Sequence, residues 1–318
     1  MKPFKLSLIT TLTFATTCYA VYCNSALKKF SSFNLVSSNV YRGDGDGSMI
    51  FDGSAFIDQQ YNLDNAVINL KRNIQCGQDS EMDEKVAGLW IGKGSALNTT
   101  LYGGHVVGAL SDSHFIRKTS DGCKLRYSDA FIKGDYMLES NGLLMAQDLI
   151  SYPPTHYIDS QGAILPVINA TSNDADYYVF TFQSCTDEAS CATFTDDGQT
   201  SDPRGLLLGA NNWQGPATAW PTDKVILLNI PVNATEGLTI SGTHNLMANG
   251  LNACGTIWNM YPTSGGNDTF VLTFANSNPI GGQFIAPTAT IYNNQSSADA
   301  ILYGSIYTGT QVRLLAYC

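Results

Sequence analysis

Basic charge is what this chain has least of: 17 Lys plus Arg stand against 27 Asp plus Glu, a net charge of −10. Binding a phosphate backbone needs clustered Lys and Arg, so the composition argues against a nucleic-acid partner. Charged residues of both signs make up only 14% of the chain. Sustained 3.6-residue periodicity is nearly absent, which argues against a helical bundle. No Cys-x-x-Cys pair occurs and no Cys/His spacing resembles a zinc site, so neither a metal nor another cofactor is expected. The Gly-x-Ser-x-Gly elbow that presents a hydrolase nucleophile is also missing. Past the amino terminus no apolar run approaches the ~20 residues that span a bilayer. Val225 to Val232 is only strand-length.

Residues 1 to 20 have the layout of a secretory signal peptide. Lys2 and Lys5 supply the positive start, Leu6 to Ala15 the apolar stretch, and Cys18-Tyr19-Ala20 a small-residue cleavage site. Residues 21 to 32 then read as a short leader before the folded domain. Cleavage removes two lysines and no acid, so the mature chain is more acidic still. Secretion changes the reading of the cysteines, because an oxidising compartment favours disulfides. Of those that remain, Cys185 and Cys191 bracket a five-residue loop suited to a bridge, a closure that stabilises by roughly 2 kcal/mol. The other pairings stay open. Asn-x-Ser/Thr sequons at Asn98, Asn169, Asn233, Asn267 and Asn294 are candidate glycan sites on exposed turns.

Most of the chain is written in short strands. Leu89–Gly92, Tyr177–Phe182, Val225–Ile230, Phe270–Phe274 and Phe284–Ala286 are runs of β-branched, aromatic or leucine residues bounded by Gly, Asn, Asp, Ser or Pro. The best helix candidate is Ser140 to Ile150, interrupted by Gly142 and ended by Pro153 and Pro154. Short strands with tight Gly/Asn corners suit the rungs of a β-solenoid. The fold class expected is therefore all-β, a solenoid with one packed helix, and a β-sandwich is the alternative.

Candidate sites each meet a plainer reading. A β-solenoid hydrolase needs carboxylates on neighbouring rungs, about 5 to 9.5 Å apart. The nearest candidate, Asp196-Asp197, reads better as a polar turn, so no catalytic residue is assigned and the chain is expected not to be an enzyme. His244 has no nucleophile to serve. Arg42-Gly43-Asp44 reads first as part of a flexible turn, and a calcium loop from Asp44 fails at Met49 and Ala55. The segment from Gly209 to Pro221 carries Trp213 and Trp220 among Asn211, Asn212 and Gln214. Exposed indoles with neighbouring amides make a sugar platform. The plainer reading is that these tryptophans plug an end of the solenoid, while Trp90 and Trp258 belong to the core. Ice binding needs small hydroxyl residues at a fixed rung period. Thr239, Thr288 and Thr290 do not recur in that way, and Lys93, Tyr102 or Tyr292 would interrupt such a face.

Several stretches resemble the choice-of-anchor A domain family of secreted and surface proteins: Lys224–Pro231, Gly237–Gly242, Ile257–Pro262, Gly281–Asn294 and Leu302–Tyr307, in the family's order. Phe33–Val36, Asp46–Ile57 and Leu89–Val107 fit more loosely. The resemblance spans residues 33 to 318, with residues 183 to 223 looking inserted. It implies a right-handed β-solenoid akin to microbial ice-binding proteins, often with a helix along one side. It also implies a secreted, non-enzymatic protein of the cell surface or extracellular matrix. Surface glycans or matrix proteins are then the expected partners. Cys318 follows the last rung with no sorting motif or hydrophobic tail, so release from the cell, or attachment without a covalent anchor, is expected.

Overall fold

The structure, a computed structural model, describes residues 33–42, 49–51, 53–63, 66–69, 87–95, 99–108, 116–118, 123, 125–126, 138–159, 163–167, 177–182, 218–240, 251, 255–275, 280–293 and 302–314. In chain order they hold β1 (Leu35–Arg42), β2 (Met49–Phe51), β3 (Ala55–Asn62), β4 (Ala66–Ile68), β5 (Ala87–Ser95), β6 (Thr99–Leu101), β7 (His105–Gly108), β8 (Ile116–Lys118) and β9 (Leu125–Arg126). The helix α1 (Leu138–Ile150) and the hairpin strands β10 (His156–Ile158) and β11 (Ile164–Pro166) follow. The remainder is β12 (Tyr177–Thr181), β13 (Val225–Val232), β14 (Leu238–Ile240), β15 (Thr256–Pro262), β16 (Phe270–Phe274), β17 (Ile280–Ile285), β18 (Ala289–Asn293), β19 (Leu302–Tyr307) and β20 (Gln311–Leu314).

Among the described residues every strand pairing is parallel except the antiparallel hairpin β10–β11. Parallel pairing of β13 with β15, β15 with β17 and β17 with β19 stacks successive coils of chain, the layout of a solenoid. One face of the stack runs β12–β13–β15–β17–β19–β1–β3–β5–β7–β9, and a second runs β14–β16–β18–β20 and on through the later residues of β1, β3 and β5. Those three strands turn the corner between the faces, with register shifts after Ser37 and Ile57. β2, β4, β6 and β8 form a separate parallel sheet on a third side.

Alternation along the first face decides what each side touches. Ile57, Ile91, Phe180, Leu228, Trp258 and Phe284 point into the stack with the interior cluster. The residues between them, such as Phe56, Trp90, Val179, Leu227, Ile257 and Ile285, join Leu138, Met145 and Leu149 of α1 in a second cluster. The first face is thus buried on both sides, which is why its strands read as continuous apolar runs.

Polar contacts fix where the helix lies. Tyr307 donates its hydroxyl to the Leu138 carbonyl (2.5 Å) at the first turn. Asn229 donates to the Leu149 carbonyl (3.0 Å) near the last. Asn259 donates to the Ala146 carbonyl (3.1 Å) and to Asn229 Oδ1 (2.8 Å). These two asparagines are register partners on adjacent strands. Asn229 thereby satisfies one of the last carbonyls of the helix, which a buried helix end would otherwise leave open.

Gly142, which interrupts the helical pattern in the sequence, sits where the helix comes close to Tyr307 and Pro287. A Cβ there would stand 2.5 Å from Tyr307 Cε1 and 2.6 Å from Pro287 Cβ. Gly282 plays a similar part inside the stack: at φ 147° it leaves room for the Trp258 indole, which donates to the Gly281 carbonyl (3.0 Å). Gly142→Ala is expected to lower stability by about 1–3 kcal/mol through overpacking. Gly266→Ala, with nothing within 4 Å of the added carbon, should stay within about 0.5 kcal/mol of the parent. Thermal unfolding of the two variants checks this.

Candidate functional site

Among the described residues no helix lies over the second face, and its outer side carries exposed and half-buried side chains. Leu272, Ile291, Val312, Val40 and Tyr61 are buried register partners on five neighbouring strands of that face. Alternation therefore turns their sequence neighbours outward. One outward column runs Val271, Thr290, Gln311, Asn39 and Gln60 in register. The other runs Thr239, Thr273, Tyr292, then Arg313 by register, then Tyr41 and Asn62. On β5 the two registers continue to Lys93 and Ser95.

This open face presents hydroxyls, primary amides and phenol rings. Gln60, Thr239 and Val271 are exposed, and Asn39, Tyr41, Thr273, Thr290, Tyr292 and Gln311 are half-buried. The Tyr41 hydroxyl donates to Gln60 Oε1 (3.2 Å). Neither column contains an Asp or Glu. Rungs of a parallel sheet repeat every ~4.8 Å, so both columns are near-linear rows of donors and acceptors. Such a surface suits contact with an extended partner, because successive rungs offer side chains, most of them polar, at one regular interval. It does not gather an acid, a base and a nucleophile around one point, as a catalytic site does.

A family model described as "Putative Ice-binding-like adhesive domain" matches residues 25–313. The chain belongs to this family. No curated protein matches it, and no solved structure does. The comparison therefore supports an adhesive type of domain; the narrower choice-of-anchor A kinship is a separate matter.

The site residues expected from sequence fare differently in this adhesive domain. Trp220 is 2% exposed and offers no sugar platform. Its indole packs edge-on against Phe180 (5.2 Å between centroids) on β12, the terminal strand of the first face. An apolar ring buries more favourably there than in water. Thr288 is buried too, so it contributes nothing to an outer face. Trp213, Asn211, Asn212, Cys185, Cys191, Asp196, Asp197, His244 and the sequons at Asn98, Asn169 and Asn294 lie outside the described residues. Asn233 and Asn267 fall in turns, between β13 and β14 and between β15 and β16. Asn267 is exposed, and half-buried Asn233 accepts from the Thr235 amide and hydroxyl (3.0 and 2.8 Å). Cys123 is buried and disulfide-bonded, its partner lying outside the described residues.

Sequence reading missed Asn39, Tyr41 and Gln60. The signal was the alternation in Asn39-Val40-Tyr41 and Gln60-Tyr61-Asn62, one buried residue between two outward polar ones. It was too short to separate from a loop.

The β12 end of the stack is covered rather than left as an open edge. Val179 on β12 donates its amide to Thr155 Oγ1 (2.8 Å) and accepts from the Thr155 amide (3.0 Å). His156 packs edge-on against Tyr178 (4.7 Å between centroids), and Lys224 Nζ sits 5.3 Å from the centre of that ring. The His156 imidazole is held below its ordinary 6.5, first by burial and then by the charge of Lys224. The neutral ring is thus favoured in the fold, and below pH 6.5 the unfolded chain takes up the proton more readily. Stability should fall as pH drops below 6.5. The His156→Phe variant should show a shallower dependence across the same range in denaturant titrations.

Proposed function

We propose that this chain is a secreted, non-enzymatic adhesive protein that uses its open face to hold a surface or matrix component. The observation that carries the reading is the split character of one sheet. Its first face is apolar and packs against α1, whereas the described side chains of its second are polar, uncharged and uncovered by any described element. A parallel sheet ordinarily has both faces covered, so an uncovered polar one is a feature to explain.

Other features support the setting. The layout of residues 1 to 20 and the disulfide at Cys123 fit an oxidising compartment. Among the described residues no helix is long and apolar enough to cross a membrane. The order of strands and the helix along one side suit a right-handed solenoid, and the choice-of-anchor A resemblance from Lys224 to Tyr307 points the same way. Sequons on the turns at Asn233 and Asn267 suit a glycoprotein.

Ice binding is the second reading, favoured by the family's description and by Thr239 and Thr273, which are register partners. The hydroxyl row then gives way to Tyr292 and Tyr41, so the adhesive reading accounts for more of the face. A thermal-hysteresis measurement separates the two.

The test of the adhesive reading is attachment of protein-coated beads to polysaccharide- and matrix-coated surfaces under flow. Tyr41→Glu and Thr290→Glu on the open face should each reduce attachment roughly tenfold, as loss of a central contact does. Leu144→Glu on the exposed side of α1 should leave it unchanged. The reverse pattern, or release of sugar products by the wild type, would remove the proposal.

A further inference from the structure

We infer that the open face takes a flat, linear polysaccharide of the β-1,4-linked kind, laid along the columns so that it crosses the strands; this deepens the adhesive reading and depends on it. Three observations converge on that class.

The first is the shape of the face. Its described outward side chains form a ribbon that crosses β14, β16, β18, β20, β1 and β3 and is at most two columns wide. At the spacings of a parallel sheet the ribbon is about 24 Å long, with its columns roughly 6.6 Å apart. It offers on the order of 300 Å², far short of the ~800 Å² a side that a stable protein partner or a second copy needs. A single extended chain needs no more width than this. A peptide strand binds a sheet through main-chain bonds at an edge, whereas this ribbon presents side chains. A bilayer takes large aliphatic or indole groups, and Val271 is the one aliphatic side chain described in the two columns.

The second is the ring of Tyr41. It stands in one column, yet its hydroxyl donates to Gln60 Oε1 (3.2 Å) in the other column on the next strand. That bond leans the phenol across the ribbon between the columns and holds it there. Gln60 is exposed and Tyr41 half-buried, so both meet an incoming chain. A sugar ring stacks its C–H face on a phenol, and a ring already held loses little freedom when it does so. Equatorially linked sugars present that face flat, whereas axial linkages turn it away.

The third is a row of primary amides. Gln311, Asn39 and Gln60 are successive register partners on β20, β1 and β3. They repeat at roughly 4.8 Å, close to the length of one residue of an extended sugar chain. A primary amide both donates and accepts, which matches neighbouring sugar hydroxyls. Asn39 donates to the Thr310 carbonyl (3.3 Å), which fixes its side chain, and Gln60 keeps its NH₂ as a donor while Oε1 accepts from Tyr41. A β-1,4 chain runs straight and so keeps pace with the row. Chains that coil, the α-1,4 and β-1,3 kinds, leave it after a contact or two.

Co-sedimentation of the full chain with cellulose and chitin, beside insoluble α-1,4 and β-1,3 glucans, tests this. The expected result is binding to a β-1,4 polymer about tenfold or more tighter than to either coiled one. Tyr41→Ala and Gln60→Ala should each weaken it about tenfold. Tyr41→Phe keeps the ring and should lose less than Tyr41→Ala. Gln60 is exposed, so Gln60→Ala keeps the test valid if Tyr41→Ala fails to fold. Equal binding to all four polymers, or preference for a coiled one, overturns the β-1,4 class; if Tyr41→Ala abolishes that binding, the adhesive reading stands. Capture by collagen-coated beads or phosphatidylserine vesicles in place of any polysaccharide also overturns the inference. Binding that neither alanine variant weakens overturns both the inference and the face as the adhesive surface.

Discussion

The structure depends on how β1 is held. Its early residues pair with β19 and its later residues with β20, while β3 lies along its other edge. Ile306 donates its amide to the Asn34 carbonyl (2.8 Å), Thr308 to Val36 (2.9 Å), and Asn39 to Thr310 (3.0 Å). At the corner the buried Ser38 hydroxyl donates to the Gly309 carbonyl (2.6 Å), and Thr308 donates its hydroxyl to the Ala289 carbonyl (2.6 Å). These bonds join segments at opposite ends of the chain. Without them, two shorter stacks would each expose a parallel edge, the situation that invites aggregation. Loop-closure entropy makes this junction a late and slow step in folding.

That junction also creates the open face. Neither stack alone has the row of Tyr292, Arg313 and Tyr41, because Tyr41 belongs to the coil that starts the chain and the others to the coils that end it. Fold and candidate site thus rest on the same contacts. The helix does the complementary work: by covering the first face it removes the larger apolar surface and leaves the polar one as the available contact area. Buried Asn229 and Asn259 hold it in place by directed hydrogen bonds where apolar packing alone would let it slide.

The strands of the first face were legible from the sequence because they are buried on both sides, and runs such as Val225 to Ile230 give an unambiguous apolar signal. The helix was legible from its proline stop, although Gly142 weakened the pattern; the residue is there to let α1 approach Tyr307 and Pro287. The open face was nearly invisible. Its strands contribute three to five residues each on β14, β16, β18 and β20, with outward positions as varied as Thr, Gln and Tyr. Only the register between distant coils makes a row of them. Trp220 left a sugar platform and an end plug both open for a related reason: an indole in a polar segment looks exposed until Phe180 is placed beside it, which favours the plug.

Native-state hydrogen exchange at the junction is the most direct test of this account. The amides of Asn39, Ile306 and Thr308 should exchange only through global unfolding, as slowly as those of β15 and β17 at the centre of the C-terminal coils. If Asn39 and Thr308 exchange early, like those of a fraying terminus, β1 does not join the two stacks, and the continuous open face on which the adhesive reading rests does not exist.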